Sequence, residues 1–508
     1  MRASRTKPKM ISMKDVLLVN WDSYPNFASG GVYTWEKALI DKMPDWKFTV
    51  LNFLSNSNSN GVYSVPPNVK SVIELPMYGT NRYEEFYNDR SNLLPKIMRT
   101  NKSTIRDRFV PLFKDFLSNT ISGNFDPVRF IDHIFRLHTF FQKYDAKKCL
   151  EHALAWETFC ECINADPIYR LMPLKSTLTT FQTFQRSVQL LSIEIPKVDL
   201  IHCSLAWLPS LVAMVGKMEN GCPMIVTEHG VAFRELMLYS SSYLYDEPSK
   251  IFSKVFTHNI VNGIYSAADI VAPVCYANTV WEKMLGADES KIRVIYNGVD
   301  TNRFRPLPLP KPPRNPMVVF VGRVDSFKDI VCLVTAISIA KKELPALECL
   351  IYGSSTDLDY SQKCIQAIRA FHLEGSVRFM GPTKQPEKAY SQGDVVVSSS
   401  ITEGFPFSVI EAMSCGKAVV ATDVGGVREA LDNCGILVPS RRPSEIAAAV
   451  VTLLKNDKLR NDLGLAAMKR AREKFTLDES IQNYKKLYEE ALEQNRLVTM
   501  EEGSVIAA

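Results

Sequence analysis

The sequence has no C-x-x-C pair and no His/Cys cluster at zinc-ligand spacing, although it carries 11 cysteines, the closest being Cys160 and Cys162. An odd, scattered set excludes a disulfide framework or a zinc module and reads as reduced thiols used as small packing residues in a cytoplasm. Extended runs of lysine or arginine are also missing, and the formal net charge is only +5 over 508 residues. That balance argues against a nucleic-acid groove and leaves solvated faces as the main use of charge. No stretch is apolar enough for a membrane span: the best, "LIHCSLAWLPSLVAMVG", holds His202, Ser204 and Pro209 between Asp199 and Lys217. It fits a buried strand followed by a helix. The basic opening "MRASRTKPK" lacks the apolar core of a secretory leader, so secretion is not expected.

What is present is ordinary globular composition, 46% hydrophobic and 23% charged, over a length that calls for two or three domains. From "NPMVVFVGRVDSFKD" onward, short β-branched runs ("MVVFVG", "LECLIYG", "VRFMG", "DVVVSSS", "AVVATD", "GILVP") alternate with helical patterns. Runs apolar throughout and separated by helices are what a parallel sheet covered on both faces requires. The first half repeats the alternation with "DVLLVNW", "KFTVLNFL", "SVIELP", "DLIHC", "PMIVTEHG", "DIVAPV" and "IRVIYNG". The proline-rich stretch at 306–316 separates the halves. Residues 1–300 therefore read as one doubly wound domain and 301–475 as a second, with 476–508 a closing helix and tail. Within the first, residues 78–189 break the alternation, and Phe109, Leu112, Phe113, Phe116 and Leu117 at helical spacing predict a helical insertion with an aromatic core.

The chemistry concentrates in "EGFPFSVIEAMSCGKAVVATDVGG", Glu403 to Gly426. "DVVVSSS" reads as a strand, "ITEGFPF" as the loop at its carboxyl end and "SVIEAMSCG" as a helix ending at Gly416. Glu403 then sits in the ligand-facing loop and Glu411 in the helix, with the helix start between them offering free N–H groups and a positive dipole end. Two carboxylates for hydroxyls around one anion site suit a nucleotide diphosphate-sugar. The bland alternative is a capped turn and a solvated glutamate. Arg323 and Lys328 in "VGRVDSFKD" follow a strand of the same sheet and add two cations for phosphate oxygens without a metal. Gly425-Gly426 precedes a further helix, and Gly30-Gly31 stands between the first strand and helix, where a phosphate turn is usual. That turn does not match G-x-G-x-x-G, which disfavours a dinucleotide dehydrogenase.

The pattern E-G-F-P-x-x-x-x-E, with Arg323 and Lys328 before it and "AVVATDVGGVREAL" and "GILVP" after it, resembles the retaining family-four (group 1) glycosyltransferases of GT-B fold, over about residues 297–492. "SYPNFASGGVYTWEKALI", the helical insertion, "TEHGVAFRE" and "GRVDSFKDI" resemble the PelF-type exopolysaccharide transferases, which use UDP-glucose. Lys328-Asp329 replaces the Lys-Gly of most family-four members, as in the PelF-like set, whereas "NWDSYP" departs from the wording expected there.

The resemblance implies an α/β, GT-B architecture with two Rossmann-like domains facing across a cleft. It implies a retaining, metal-independent hexosyl transfer, with glucose as the sugar, from a UDP-sugar to a saccharide acceptor, with no cofactor beyond the donor. Arg323 and Lys328 would stabilise the leaving diphosphate. Glu403 would contact the sugar hydroxyls beside the N–H groups of Gly404 and Phe405, and Glu411 would bind the ribose. His229 in "TEHG" would reach the donor sugar, with His202, Glu228 and Arg234 lining the same region. Peripheral contact with a membrane-bound polysaccharide assembly would follow. The competing readings are an epimerase or phosphorylase on the same fold and a non-catalytic nucleotide-sugar-binding protein.

Overall fold

The computed structural model describes residues 13–26, 30–55, 64–77, 93–243, 246–308, 315–355 and 357–506. The basic opening at 1–9, the start of the expected insertion at 78–92 and the middle of the proline-rich stretch at 309–314 lie outside the described residues.

Strands β1 (Lys14–Trp21), β2 (Trp46–Leu54), β3 (Val69–Pro76), β4 (Leu200–Cys203), β5 (Met224–Glu228) and β6 (Ile270–Pro273) form a sheet in the order β3-β2-β1-β4-β5-β6. Strands β7 (Met317–Val321), β8 (Glu348–Tyr352), β9 (Val377–Gly381), β10 (Val395–Ser398), β11 (Ala418–Thr422) and β12 (Ile436–Val438) form a second, in the order β12-β11-β10-β7-β8-β9. Pairing is parallel in both, as at Leu18↔Val50 and Val396↔Val419. Counted from its own first strand, each sheet has the Rossmann order 3-2-1-4-5-6, which reverses direction between its first and fourth strands. The two reversals fall at β1/β4 and β7/β10, and crevices for ligands open beyond the carboxyl ends of those strands.

The apolar runs become strands because both faces of each sheet are covered. In β10, Val395 and Val397 pack into one core layer with Leu333, Ile337 and Ile446. Val396 points to the other layer, with Ile410 and Met413. A strand buried on one face only would need a polar residue at alternate positions, and each of these valines instead contributes about 1.5–3 kcal/mol of burial.

The insertion lies between β3 and β4 and includes helices Val110–Thr120, Pro127–Lys143, Ala153–Ala165 and Leu174–Gln189. Asp126 starts the second of these by accepting from the N–H groups of Val128 and Arg129, with Pro127 at the first helical position. The aromatic stripe faces inward: Phe109, Phe113, Phe116 and Leu117 are at most 2% exposed. Phe116 stacks on Phe130 at 5.7 Å, and Phe113 meets Phe184 edge-on at 5.8 Å. Nine cysteines are buried, with only Cys160 and Cys434 partly exposed, and all eleven are free thiols.

The chain packs as two compact units that are discontinuous in sequence. One comprises residues 1–227, 236–271 and 487–508, and the other 228–235 and 272–486. Residues 272–300, which the sequence reading gave to the first domain, group with the second unit. Asn297 donates to the Phe405 carbonyl at 2.9 Å and the Tyr296 hydroxyl to Glu429 at 3.0 Å. The final helix, Leu477–Ile506, belongs to the second unit up to Lys486 and to the first from Leu487.

Candidate functional site

The second sheet reverses between β7 and β10, and the loops leaving these two strands meet. After β7, the Asp325 carboxylate accepts the N–H groups of Phe327 and Lys328 at 3.0 and 3.1 Å, folding the loop back on itself. Asp329 follows at φ 46° and caps helix Ile330–Ala340 by accepting from the Cys332 N–H. A left-handed residue is cheapest as glycine, but aspartate tolerates it and adds the cap. After β10, the Ile401 N–H donates to the Phe327 carbonyl at 2.7 Å and the Ser399 hydroxyl to the Lys328 carbonyl at 2.7 Å. Lys328 Nζ therefore stands 2.5 Å from Glu403 Oε1, which also accepts from the Ser400 hydroxyl at 2.6 Å. The two side chains are 18% and 10% exposed, so this pair is largely withdrawn from water and its charges are weakly screened.

Three successive carbonyls beyond this pair are tied down. Arg234 Nη2 donates to the Glu403 carbonyl at 3.0 Å, the Gly426 N–H to that of Gly404 at 2.7 Å, and Asn297 Nδ2 to that of Phe405 at 2.9 Å. Among the described residues no protein group accepts from the N–H groups of Gly404 or Phe405. Two glycines permit the packing: a Cβ on Gly404 would overlap the His229 carbonyl, and one on Gly425, at φ 54°, would overlap that of Glu403. Pro406 then leads into helix Phe407–Ser414. Free amides at the end of a helix dipole form an anion site. Glu411, on that helix, accepts from the Tyr390 hydroxyl at 2.8 Å. Burial pushes its carboxyl up to about 7, against the opposing hydrogen bond from Tyr390 and the charge of Arg303.

Arg323 is more open, with its side chain 62% exposed and an ion pair to Asp325 at 3.1 Å. His229 stands with its carbonyl against Gly404, and burial lowers its imidazole to about 3, so the ring is neutral at physiological pH. Glu228 is buried just before it. Arg234 faces the Glu403 main chain and donates through Nη1 to Asn278 Oδ1 at 3.2 Å. Glu403, Gly404, Phe405, Glu411, Lys328, Arg323, His229, Glu228 and Arg234 thus all belong to the second unit.

His202 is fully buried in the first unit, with Nδ1 2.7 Å from the Tyr488 hydroxyl and Nε2 2.8 Å from Thr227 Oγ1. Both ring nitrogens are engaged within that unit. Gly30 and Gly31 lie after β1, where Gly30 adopts φ 102° ahead of helix Gly31–Asp41, so the glycine there answers to backbone conformation.

Several site groups carried no motif signal: Ser400, Tyr390, Asn297, Asn278 and Glu235. Burial raises the Glu235 carboxyl, and it feels the charges of Arg234, Arg323, Glu403 and Lys328. Its place directly after Arg234 in "TEHGVAFRE" is the only hint in the sequence. Among the described residues, no group of three or more His, Cys, Asp or Glu is placed to hold a metal ion.

Residues 304–470 match the family model of glycosyl transferases group 1, and residues 14–290 match a domain of unknown function, DUF3492. D-inositol 3-phosphate glycosyltransferase of Kineococcus radiotolerans is 32% identical over 304 residues, covering 54% of this chain and 67% of that protein. The chain belongs to the group 1 glycosyltransferases, and its first half to the DUF3492 family. The glycosyltransferase of the same description from Rhodococcus erythropolis is 28% identical over 307 residues, 57% of this chain and 68% of that one. In fold, this glycosyltransferase resembles sucrose-phosphate synthase of Thermosynechococcus elongatus (TM-score 0.61, 18% identity, 94% of this chain and 98% of that chain). It also resembles HepE of Anabaena in complex with UDP (TM-score 0.59, 15% identity, 94% and 100%). These neighbours share the GT-B fold of two Rossmann-like domains.

Proposed function

We propose that the protein is a retaining hexosyltransferase of PelF type that moves glucose from UDP-glucose to a saccharide acceptor in exopolysaccharide or glycoconjugate synthesis. The observation that carries this reading is the Lys328–Glu403 pair at 2.5 Å, beside the free N–H groups of Gly404 and Phe405 at the start of the Glu411 helix. Cation, carboxylate and amides at one sheet edge suit a ligand with an anionic centre and hydroxyls on either side.

In this reading the diphosphate sits over the Gly404 and Phe405 amides, and Arg323 and Lys328 take up the charge that develops on it, the part a divalent metal would otherwise play. Glu403 orients the sugar hydroxyls, Glu411 accepts from the ribose hydroxyls, and neutral His229 hydrogen-bonds the sugar. The bond from the anomeric carbon to the phosphate oxygen breaks, the acceptor oxygen bonds the same face of that carbon, and the acceptor proton passes to the departing phosphate oxygen. Positioning and charge stabilisation thus carry the rate. No residue needs to act as a covalent nucleophile or a separate base.

Isothermal titration with UDP, UDP-glucose, GDP-mannose and ADP-glucose tests the donor, with Arg323→Ala and Glu411→Ala alongside. Selective uridine binding in the presence of EDTA, lost in both variants, supports the reading, and no nucleotide binding overturns it. Transfer to a panel of saccharides, followed by NMR assignment of the new anomeric centre, tests retention. D-inositol 3-phosphate belongs in that panel because the relatives above carry its name. We further infer cytoplasmic action with peripheral contact to a membrane-bound assembly, for which the mildly basic net charge of +5 is the support. Among the described residues no helix is long and apolar enough to cross a membrane. Absence of flotation with anionic vesicles would count against the contact.

A further inference from the structure

Helix Tyr276–Met284 turns its apolar side outward. Tyr276, Val280 and Met284, four residues apart, are 62%, 69% and 56% exposed, whereas Asn278 and Glu282 are fully buried. Burying an amide and a carboxyl in place of available apolar side chains is costly unless the buried groups have work to do. What Asn278 meets is Arg234. Its Nη1 donates to Asn278 Oδ1 at 3.2 Å and its Nη2 to the Glu403 carbonyl at 3.0 Å, so one planar fork joins the helix to the loop that carries the site carboxylate. Glu282 lies one turn beyond Asn278, and among the described residues neither of its oxygens accepts a hydrogen bond.

We propose that Arg234, seated by Asn278, is a positioning residue for sugar transfer: by fixing the Glu403 carbonyl it aims the Glu403 carboxylate and the adjacent amides at the donor. The sequence reading had Arg234 lining the substrate region, but its two terminal nitrogens are both committed to protein oxygens. Burial raises Glu282 to about 9, with Glu228 adding to the shift and Arg234 opposing it. This inference rests on the reading of Glu403 as a donor-site residue.

The test is steady-state transfer with Arg234→Ala and Arg234→Lys, each paired with titration of UDP, and with Glu403→Gln as the reference. Arg234→Ala is expected to lose about 100-fold in kcat, the scale of a misplacement of about 1 Å, while UDP binds within about threefold of wild type. Arg234→Lys is expected to recover part of the rate, because one ammonium cannot span both acceptors. Wild-type kcat in Arg234→Ala with an inactive Glu403→Gln would overturn the positioning role and leave the donor site standing. Equal losses of kcat and UDP affinity in Arg234→Ala would overturn it in favour of a purely structural part. An active Glu403→Gln would instead remove the donor-site reading itself.

Discussion

The Lys328 ammonium and the Glu403 carboxylate, 75 positions apart in sequence, stand 2.5 Å apart where the loops after β7 and β10 meet. Because both are mostly withdrawn from water, removing either leaves the other charge poorly compensated. Lys328→Ala and Glu403→Gln are each expected to lower kcat by about 100- to 1000-fold, the usual effect of deleting one preorganised electrostatic group. Steady-state transfer assays at saturating donor measure this directly.

Glu411 makes donor binding depend on pH. Its carboxyl is raised to about 7, so the charged, accepting form dominates above that value and is lost as pH falls through it. The KM for the UDP-sugar is expected to rise on acidification from pH 8 to pH 6, and Glu411→Gln to flatten the profile. Tyr390→Phe removes a hydroxyl that donates to the charged form, so its midpoint is expected to move to higher pH.

Glu282 predicts a stability effect of definite sign. Its carboxyl is raised from 4.5 to about 9 in the fold. Both states hold the proton below the unfolded value, whereas above it the unfolded chain releases a proton that the native state keeps. Stability is therefore lost progressively as pH rises toward about 9. Glu282→Gln, which cannot ionise, is expected to be more stable than wild type at pH 8 by at least about 1 kcal/mol, with the difference shrinking toward pH 5. Urea unfolding at the two pH values gives the comparison, and a larger advantage at pH 5 would contradict it.

His202 separates fold from site. His202→Ala removes the partner of two buried hydroxyls, Tyr488 and Thr227, and leaves space against Trp35, whose ring packs on the imidazole at 5.3 Å. A loss of about 2–4 kcal/mol in unfolding free energy is expected, with UDP affinity at the second unit retained. Loss of UDP binding in a folded variant would make His202 a ligand residue instead.

Gly404 has no room for a side chain, since a Cβ would overlap the His229 carbonyl. Gly404→Ala is expected to cost about 1–3 kcal/mol of stability and to lower kcat, because the strain falls on the segment that carries both His229 and Arg234. Thermal unfolding together with transfer rates tests both effects.

The two sheets are legible in the sequence, because apolar runs such as "VVV" at 395–397 in β10 carry no polar alternate and so require cover on both faces. The inward aromatic stripe around Phe113 and the strand–loop–helix that holds Glu403 and Glu411 were legible for the same reason: short-range spacing decides local structure. What lies far apart in the chain was not. That Arg234 reaches a carbonyl 169 residues away, that Asn297 holds the next loop, and that His202 is locked by a tyrosine 286 residues later follow from packing alone. A single polar residue at a strand or helix end has no periodicity to betray its partner. Only the tertiary structure decides whether such a side chain meets a ligand, a backbone carbonyl or another buried group, because that choice depends on which distant loops the sheet order brings together.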